Sequence, residues 1–359
     1  MNNLFYRFSI SVTLLLVVLF SCHEQQKQKI YPQDGINLSA GTYDFPEDPQ
    51  TKKFLIKNID DDFPDYLSKA LVKYGYDILT RTSQIVGPNV EDENMRFAGN
   101  NLACGNCHVN GGLNAWGGSW IGVLDRYPTY RDKNGQVNDI QMRIGGCFER
   151  SLQGGPPAND SKEMSGIIEY FKWLSSDSIL NSREKYSGYF KIDLPNRKAD
   201  TIRGYQLYNT HCYICHGSDG EGVYFDKDDV SKGYIYPRLW GDSTYSLGAG
   251  MARLETFASF IKASMPYGTT AQDMVLSDEE AYDISGYVNI QERPISEGME
   301  DDFPDRTTKG ADVPYGPYID DFPHIQHRLG PLQPIEEYYK SLKSSNESTK
   351  EEDKSLSNN

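Results

Sequence analysis

Two short strings, Cys104-Gly105-Asn106-Cys107-His108 and Cys212-Tyr213-Ile214-Cys215-His216, constrain this chain more than anything else in it. Two thiols three residues apart reach the two vinyl groups of one porphyrin. The histidine that follows is then held beneath the iron as its first axial ligand. One such string is also compatible with a redox dithiol, a disulfide or a zinc site. Two in one chain, each set in a similar frame, point to two covalently bound haem c groups. A polypeptide of 359 residues is too long for a single small haem domain and suits two with extensions.

The remaining cysteines say where the chain goes and what it does there. Arg7 precedes an apolar run from Ile10 to Phe20 that is too short to span a bilayer comfortably, the pattern of an export signal. The run ends in Leu19-Phe20-Ser21-Cys22, which resembles a bacterial lipobox with Cys22 as the acylated residue. Residues 1–21 are therefore expected to be a lipoprotein signal peptide and residues 22–55 a polar tether. The protein is expected to be exported, to the periplasmic side or the cell surface, and lipid-anchored. The net charge of -15 argues against nucleic acid as a partner, and an anionic substrate would need a local basic pocket. Of six cysteines, Cys147 alone belongs neither to the anchor nor to a haem string. An unpaired thiol in an exported protein calls for an explanation.

The frames around the two strings look like an internal duplication. An amphipathic helix is predicted before each: Tyr66 to Thr82, with Leu67, Leu71, Val72, Ile78 and Leu79 on one side, and Asp200 to Thr210, with Ile202, Tyr205 and Leu207. Each contains a glycine, Gly75 or Gly204, of the kind that class I cytochromes c use where two helices cross closely. A closing helix is predicted in each half, over Glu163 to Ser175 and over Asp278 to Gln291, the second with a Ser277/Glu280 capping box and a stop at Pro294. The expected fold is mainly α: two class I cytochrome c-like domains in tandem, over residues 56–185 and 186–300. A Pro- and Tyr-rich extension is expected to wrap over them at 301–335, and a disordered tail is expected at 336–359. Asp-Asp-Phe-Pro recurs at Asp61, Asp301 and Asp320, with no evident role in the sequence.

The second axial position of each iron decides between electron transfer and chemistry. For the second haem, Met265 in Ser264-Met265-Pro266 is the candidate, on a loop between the haem string and the last helix, with Met251 the alternative. A His/Met pair suits electron transfer. For the first haem the candidates are Met142, Cys147 and Met164. Cys147 follows Gly145-Gly146, which permit close backbone approach, and Arg143 and Arg150 flank it. Arginine beside a thiol favours the thiolate, the form that ligates iron and attacks sulfur. A buried small hydrophobe is the bland alternative for Cys147, core packing for Met164, and surface or propionate-pairing charge for the arginines.

The chain resembles the thiosulfate dehydrogenases, dihaem cytochromes c, over nearly all of residues 70–335. The markers are Gly87-Pro88, Asn110-Gly111-Gly112, Gly146-Cys147-x-x-Arg150-Ser151, Cys215-His216-Gly217-Ser218-Asp219-Gly220-Glu221-Gly222, Ser264-Met265-Pro266 and Asn289-Ile290-Gln291-Glu292-Arg293-Pro294. The cysteine-arginine-serine cluster discriminates. Cys147 stands 39 residues after His108, a spacing similar to the family's. The resemblance implies that Cys147 is the distal ligand of the first haem and the catalytic group, and that two thiosulfate ions become tetrathionate. Arg143 and Arg150 suit the sulfonate oxygens, Ser151 can give one hydrogen bond, and Arg131 is expected to add a third charge. Cys147 is expected to leave the iron and hold the sulfane sulfur covalently until a second thiosulfate displaces it.

The partners so implied are a small anionic sulfur substrate, an exported cytochrome or membrane electron acceptor, and the membrane itself through Cys22. Two other readings use the same residues differently. An electron-transfer subunit would ligate the first haem through Met142 or Met164 and leave Cys147 silent. A tetrathionate reductase would run the same site backwards. A dihaem peroxidase would need an open iron position, and the markers of that family are not found.

Overall fold

The computed structural model describes Ile59 and residues 64–176, 187–269 and 273–344. The signal peptide, Cys22, the tether and the first Asp-Asp-Phe-Pro at Asp61 lie outside the described residues. Six helices carry the fold: α1 (Lys69–Thr80), α2 (Ile140–Arg150), α3 (Lys162–Leu174), α4 (Thr201–His211), α5 (Leu254–Ser264) and α6 (Asp278–Asn289). The strands are short and pair in twos: β1 (Gly117–Ser119) with β4 (Gly188–Tyr189), β2 (Thr129–Arg131) with β3 (Gln136–Asn138), and β5 (Val223–Tyr224) with β6 (Tyr234–Tyr236), all antiparallel. Among the described residues no helix is long and apolar enough to cross a membrane.

The helices begin where side-chain oxygens satisfy otherwise unpaired amides. Ser68 caps α1, Ser161 caps α3, and Asp200 accepts from the amides of Ile202 and Arg203 at the start of α4. At α6 the expected capping box is formed: the Glu280 amide donates to Ser277 Oγ at 3.2 Å, and Glu280 Oε2 accepts from the Ser277 amide at 2.9 Å.

In each half the helix before the haem string crosses the closing helix at a glycine. A Cβ on Gly75 of α1 would lie 1.9 Å from the carbonyl oxygen of Gly166 in α3. A Cβ on Gly204 of α4 would lie 2.1 Å from that of Asp283 in α6. No side chain fits either crossing, so the helix propensity lost at glycine is offset by packing. Around the first crossing Val72, Ile78, Met164, Ile167, Tyr170 and Trp173 are fully buried. The same continuous apolar core takes in Tyr208, Phe257, Ile284 and Val288 of the second half.

α4 differs from its expected face. Ile202 is 73% exposed and Tyr205 50%, while Gly204 and Tyr208 are buried. The crossing with α6 selects the Gly204/Tyr208 face and turns Ile202 and Tyr205 outward. Beside this crossing Asp283 is buried and accepts from Arg197 at 2.6 and 3.0 Å, from Arg203 at 2.7 Å and from the Asp200 amide at 2.9 Å. Burial pushes its carboxyl up, but these hydrogen bonds outweigh burial and hold it below the usual carboxylate range.

The C-terminal extension is ordered by the recurrent tetrapeptide. Asp302 accepts from Tyr315 Oη at 2.6 Å and pairs with Arg150 at 3.1 Å and Lys133 at 3.4 Å. Asp320 accepts from Tyr339 Oη at 2.6 Å and lies 3.1 Å from His327 Nε2. The chain is helical over 333–344, so the first part of the stretch expected to lack structure is folded, with Ile335 and Tyr339 buried.

Replacing Gly75 with alanine should lower stability by up to about 3 kcal/mol, because the helices must part; an unchanged denaturant midpoint would mean that the crossing tolerates a methyl group. Asp283 should stabilise the fold fully above its unfolded pKa of about 4 and lose that contribution as pH falls through its lower folded value. Denaturant titrations at neutral and acid pH should therefore show a smaller acid loss in Asp283→Asn than in the natural protein.

Candidate haem and anion site

His108 follows the first thiol pair, and its Nδ1 lies 2.5 Å from the carbonyl oxygen of Gly118 in β1. A carbonyl only accepts, so Nδ1 carries the proton and Nε2 presents its lone pair. Burial lowers the His108 pKa to about 4, which keeps the ring neutral at neutral pH. The second half repeats the device: His216 Nδ1 is 2.9 Å from the carbonyl oxygen of Pro237, and burial again lowers the pKa. Both histidines thus carry the outer hydrogen bond typical of metal-ligating imidazoles.

The four haem-string thiols are unpaired and partly buried. Burial pushes Cys104, Cys107 and Cys212 up to about 12, and Cys215 in the same direction. No group of three or more His, Cys, Asp or Glu among the described residues is placed to hold a bare metal ion. Buried adjacent thiols beside a neutral histidine with a free Nε2 fit covalent haem. Arg238, next to Pro237, and Arg293, 4.4 Å over the Tyr245 ring, each keep a buried Nε without a partner among the described residues, which also suits an anionic group such as a propionate.

Cys147 sits within α2, which Asp139 caps by accepting from the Met142 amide at 2.8 Å. A Cβ on Gly145 would make ordinary contact with Pro156 at 3.5 Å, and one on Gly146 would meet nothing. Ile144 and Phe148 are buried and fix the helix, while Cys147 stays half-buried. One turn earlier, Arg143 donates from Nη1 to Cys147 Sγ at 3.0 Å. The nearby Cys147 raises the Arg143 pKa further, against the cost of burying the guanidinium. Cys147 acts electrostatically on both Cys104 and Cys107, and Arg143 on His108, so this pair faces the first haem string.

Other predicted site residues are dispersed. Arg150 donates to the carbonyls of Glu297 and Gly298 at 2.8 and 3.2 Å and to Asp302 at 3.1 Å, which ties it to the extension. Arg131 lies in β2 and donates to Tyr127 Oη at 3.4 Å. Ser151 caps the C-terminus of α2, its amide donating to the Cys147 carbonyl at 2.9 Å. Met142 is 38% exposed on the first turn of α2, and Met164 is fully buried in the core. Met265 ends α5, partly buried against the core, and Met251 is buried.

Three neighbours went unremarked in the sequence. Tyr127 accepts from Arg131 and acts electrostatically on Arg143, and Arg126 and Tyr189 act electrostatically on one another and on Arg143. Arg143, on the Cys147 thiol, thus has Arg126 and the Tyr127 phenol as neighbours, a donor-rich group able to receive a small polyoxygen anion.

Comparison with known proteins agrees with this chemistry. The cytochrome c family model matches residues 202–290. The thiosulfate dehydrogenase of Psychrobacter arcticus is 39% identical over 241 residues, which is 67% of this chain and 69% of that protein. The thiosulfate dehydrogenase of Thiomonas intermedia is 33% identical over 264 residues, 73% of this chain and 76% of the relative. In the solved structure of thiosulfate dehydrogenase TsdBA from Marichromatium purpuratum, as isolated, the match has a TM-score of 0.55 at 29% identity. It covers 66% of this chain and half of that one. With its mainly α architecture, its cytochrome c domain and relatives of this identity and coverage, the chain belongs to the thiosulfate dehydrogenase family of c-type cytochrome oxidoreductases.

Proposed function

We propose that the protein is an exported, lipid-anchored dihaem cytochrome c that oxidises two thiosulfate ions to tetrathionate at Cys147. The observation that carries this reading is the Arg143–Cys147 contact of 3.0 Å beside the first haem string. The relatives' names supply the substrate. Cys104, Cys107 and His108 would hold one haem, with Cys147 as a further ligand to it, in the domain at 56–185. Cys212, Cys215, His216 and Met265 would hold the other in the domain at 186–300. The haems, when bound, supply the acceptor for the two electrons and pass them to an exported or membrane-bound acceptor.

The chain's own residues do the rest. Arg143 binds the sulfonate of thiosulfate and, through its charge, favours the Cys147 thiolate. Arg126, with Tyr127 and Arg131 behind it, adds positive charge at the mouth of the site. The Cys147 thiolate and the sulfane sulfur form an S–S bond with loss of two electrons, giving an S-sulfonated persulfide on the protein. The sulfane sulfur of a second thiosulfate attacks that of the first, releasing tetrathionate and regenerating the thiolate. The charges balance: a monoanion and a dianion yield a monoanionic adduct and two electrons, and the second dianion departs as part of a dianionic product. Arg150 contributes by holding the C-terminal end of α2 to Asp302, and Ser151 by closing the same end.

Thiosulfate added without oxygen to the oxidised protein should reduce its haem bands and yield tetrathionate. No reduction, with ascorbate still reducing both haems, would leave an electron carrier. Cys147→Gly should abolish turnover while both haems remain attached, as read by mass and by the pyridine haemochrome spectrum; normal turnover would remove Cys147 from the mechanism. Arg143→Ala should weaken kcat/KM for thiosulfate roughly 10- to 100-fold, the size of one lost charge-assisted bond. Arg150→Ala should instead lower the unfolding midpoint with KM near its natural value; an equal rise in KM would return Arg150 to the anion site.

A further inference from the structure

The segment that follows the first haem string is in contact with the loop that carries Met265. Asn114 is buried and donates from Nδ2 to Ser264 Oγ at 2.9 Å and to the Ala263 carbonyl at 3.4 Å. Ser264, only 2% exposed, immediately precedes Met265. Two residues beyond Met265, Tyr267 Oη lies 3.4 Å from Asn110 Oδ1. The residues on either side of the methionine are therefore tied by three hydrogen bonds to Asn110 and Asn114 of the first half of the chain.

The bracket is itself held firmly. Gly111 accepts from Tyr170 Oη at 2.8 Å, Gly112 accepts from the Trp120 amide at 2.8 Å and from Ser119 Oγ at 2.9 Å, and Trp116 accepts from the Phe190 amide at 2.8 Å. β1 then packs so tightly on the end of α5 that a Cβ on Gly117 would lie 2.4 Å from Ser264 Oγ. The next residue, Gly118, is the one whose carbonyl orients His108.

We infer that Asn114, seconded by Asn110, is a positioning residue for Met265, so that one segment of the first half sets a ligand holder in each haem site. This rests on the reading of Met265 as the axial ligand of the second haem. A thioether ligand raises the haem potential only when it is presented at the right distance and angle, and outer hydrogen bonds provide that presentation. Asn114 reaches Met265 through Ser264 and Ala263, the two residues before it. A buried amide–hydroxyl pair, once broken, leaves an unsatisfied group that drives the loop to rearrange.

The test uses the full-length holoprotein and two readouts, the midpoint potential of the second haem and the methionine–iron charge-transfer absorption. Asn114→Ala and Ser264→Ala should each shift that potential downward and weaken the absorption. The double variant should move neither further than the larger single change, since both single variants remove the same Asn114–Ser264 bond. Ser264→Ala, a smaller change, carries the test alone if Asn114→Ala does not fold. Met265→Ala is the control. Loss of the absorption in Met265→Ala, with both readouts unmoved in Asn114→Ala and Ser264→Ala, would overturn the positioning role and leave the ligand reading intact. Retention of the absorption in Met265→Ala would overturn the ligand reading and the positioning role with it.

Discussion

Everything in this structure hangs from two helix crossings too close for a side chain. Gly75 against Gly166, and Gly204 against Asp283, bring backbone to backbone. A crossing at that range has almost no freedom to slide or tilt, because any shift drives carbonyls into one another. α4 runs directly into Cys212, so the crossing fixes the axis from which the second pair of thiols is presented. α1 does the same for the first pair less directly, through Thr82. The Thr82 hydroxyl accepts from the Cys104 amide at 3.1 Å and approaches its sulfur at 3.7 Å. The haem strings can therefore be short and flexible in sequence while their placement is rigid.

Within that frame, α2 shows how a local pattern and a distant partner divide the work. Arg143, Cys147 and Arg150 fall on one face of a helix, at four- and three-residue steps. Helical geometry alone would send both guanidiniums to the thiol. Arg143 goes there. Arg150 is taken by Asp302, more than a hundred residues away in sequence, together with the Glu297 and Gly298 carbonyls. A charge-assisted contact to a buried carboxylate plus two carbonyls outcompetes a single contact to a half-buried sulfur. The outcome is one arginine on the Cys147 thiol and one that anchors the helix bearing it.

The parts legible in the sequence were those set by neighbours along the chain. The haem strings, the Ser277/Glu280 box and the two crossing glycines depend on spacing, and spacing is visible. The buried face of α4 was misread because Ile202 and Tyr205 are apolar, and apolarity does not say which face a glycine crossing will select. Arg126 and Tyr127 were missed because their proximity to Arg143 arises from the turn before β2, and nothing in periodicity places that turn against α2. The Asp-Asp-Phe-Pro repeat was visible and mute. Its second aspartate in one copy and its first in another become buried acceptors, and which oxygen finds which donor is settled only in three dimensions.

Those acceptors answer a difficulty that the acidic composition raises. A chain of net charge -15 repels itself, and burying carboxylates within it is costly unless each is surrounded by donors. Asp283, Asp302, Asp312 and Asp320 are all nearly or fully buried. Asp283 takes two arginines, Asp302 an arginine, a lysine and a tyrosine, Asp312 Arg253 and the Glu255 amide, and Asp320 His327 and Tyr339. Three of the four lie in the extension. The extension is thus more than a cover. It carries the buried anions that pair with Lys133, Arg150 and Arg253 of the preceding chain, and through Asp302 it reaches the end of the helix on which Cys147 stands. Geometry at the thiol is set in part by a segment that sequence spacing would place outside both haem domains.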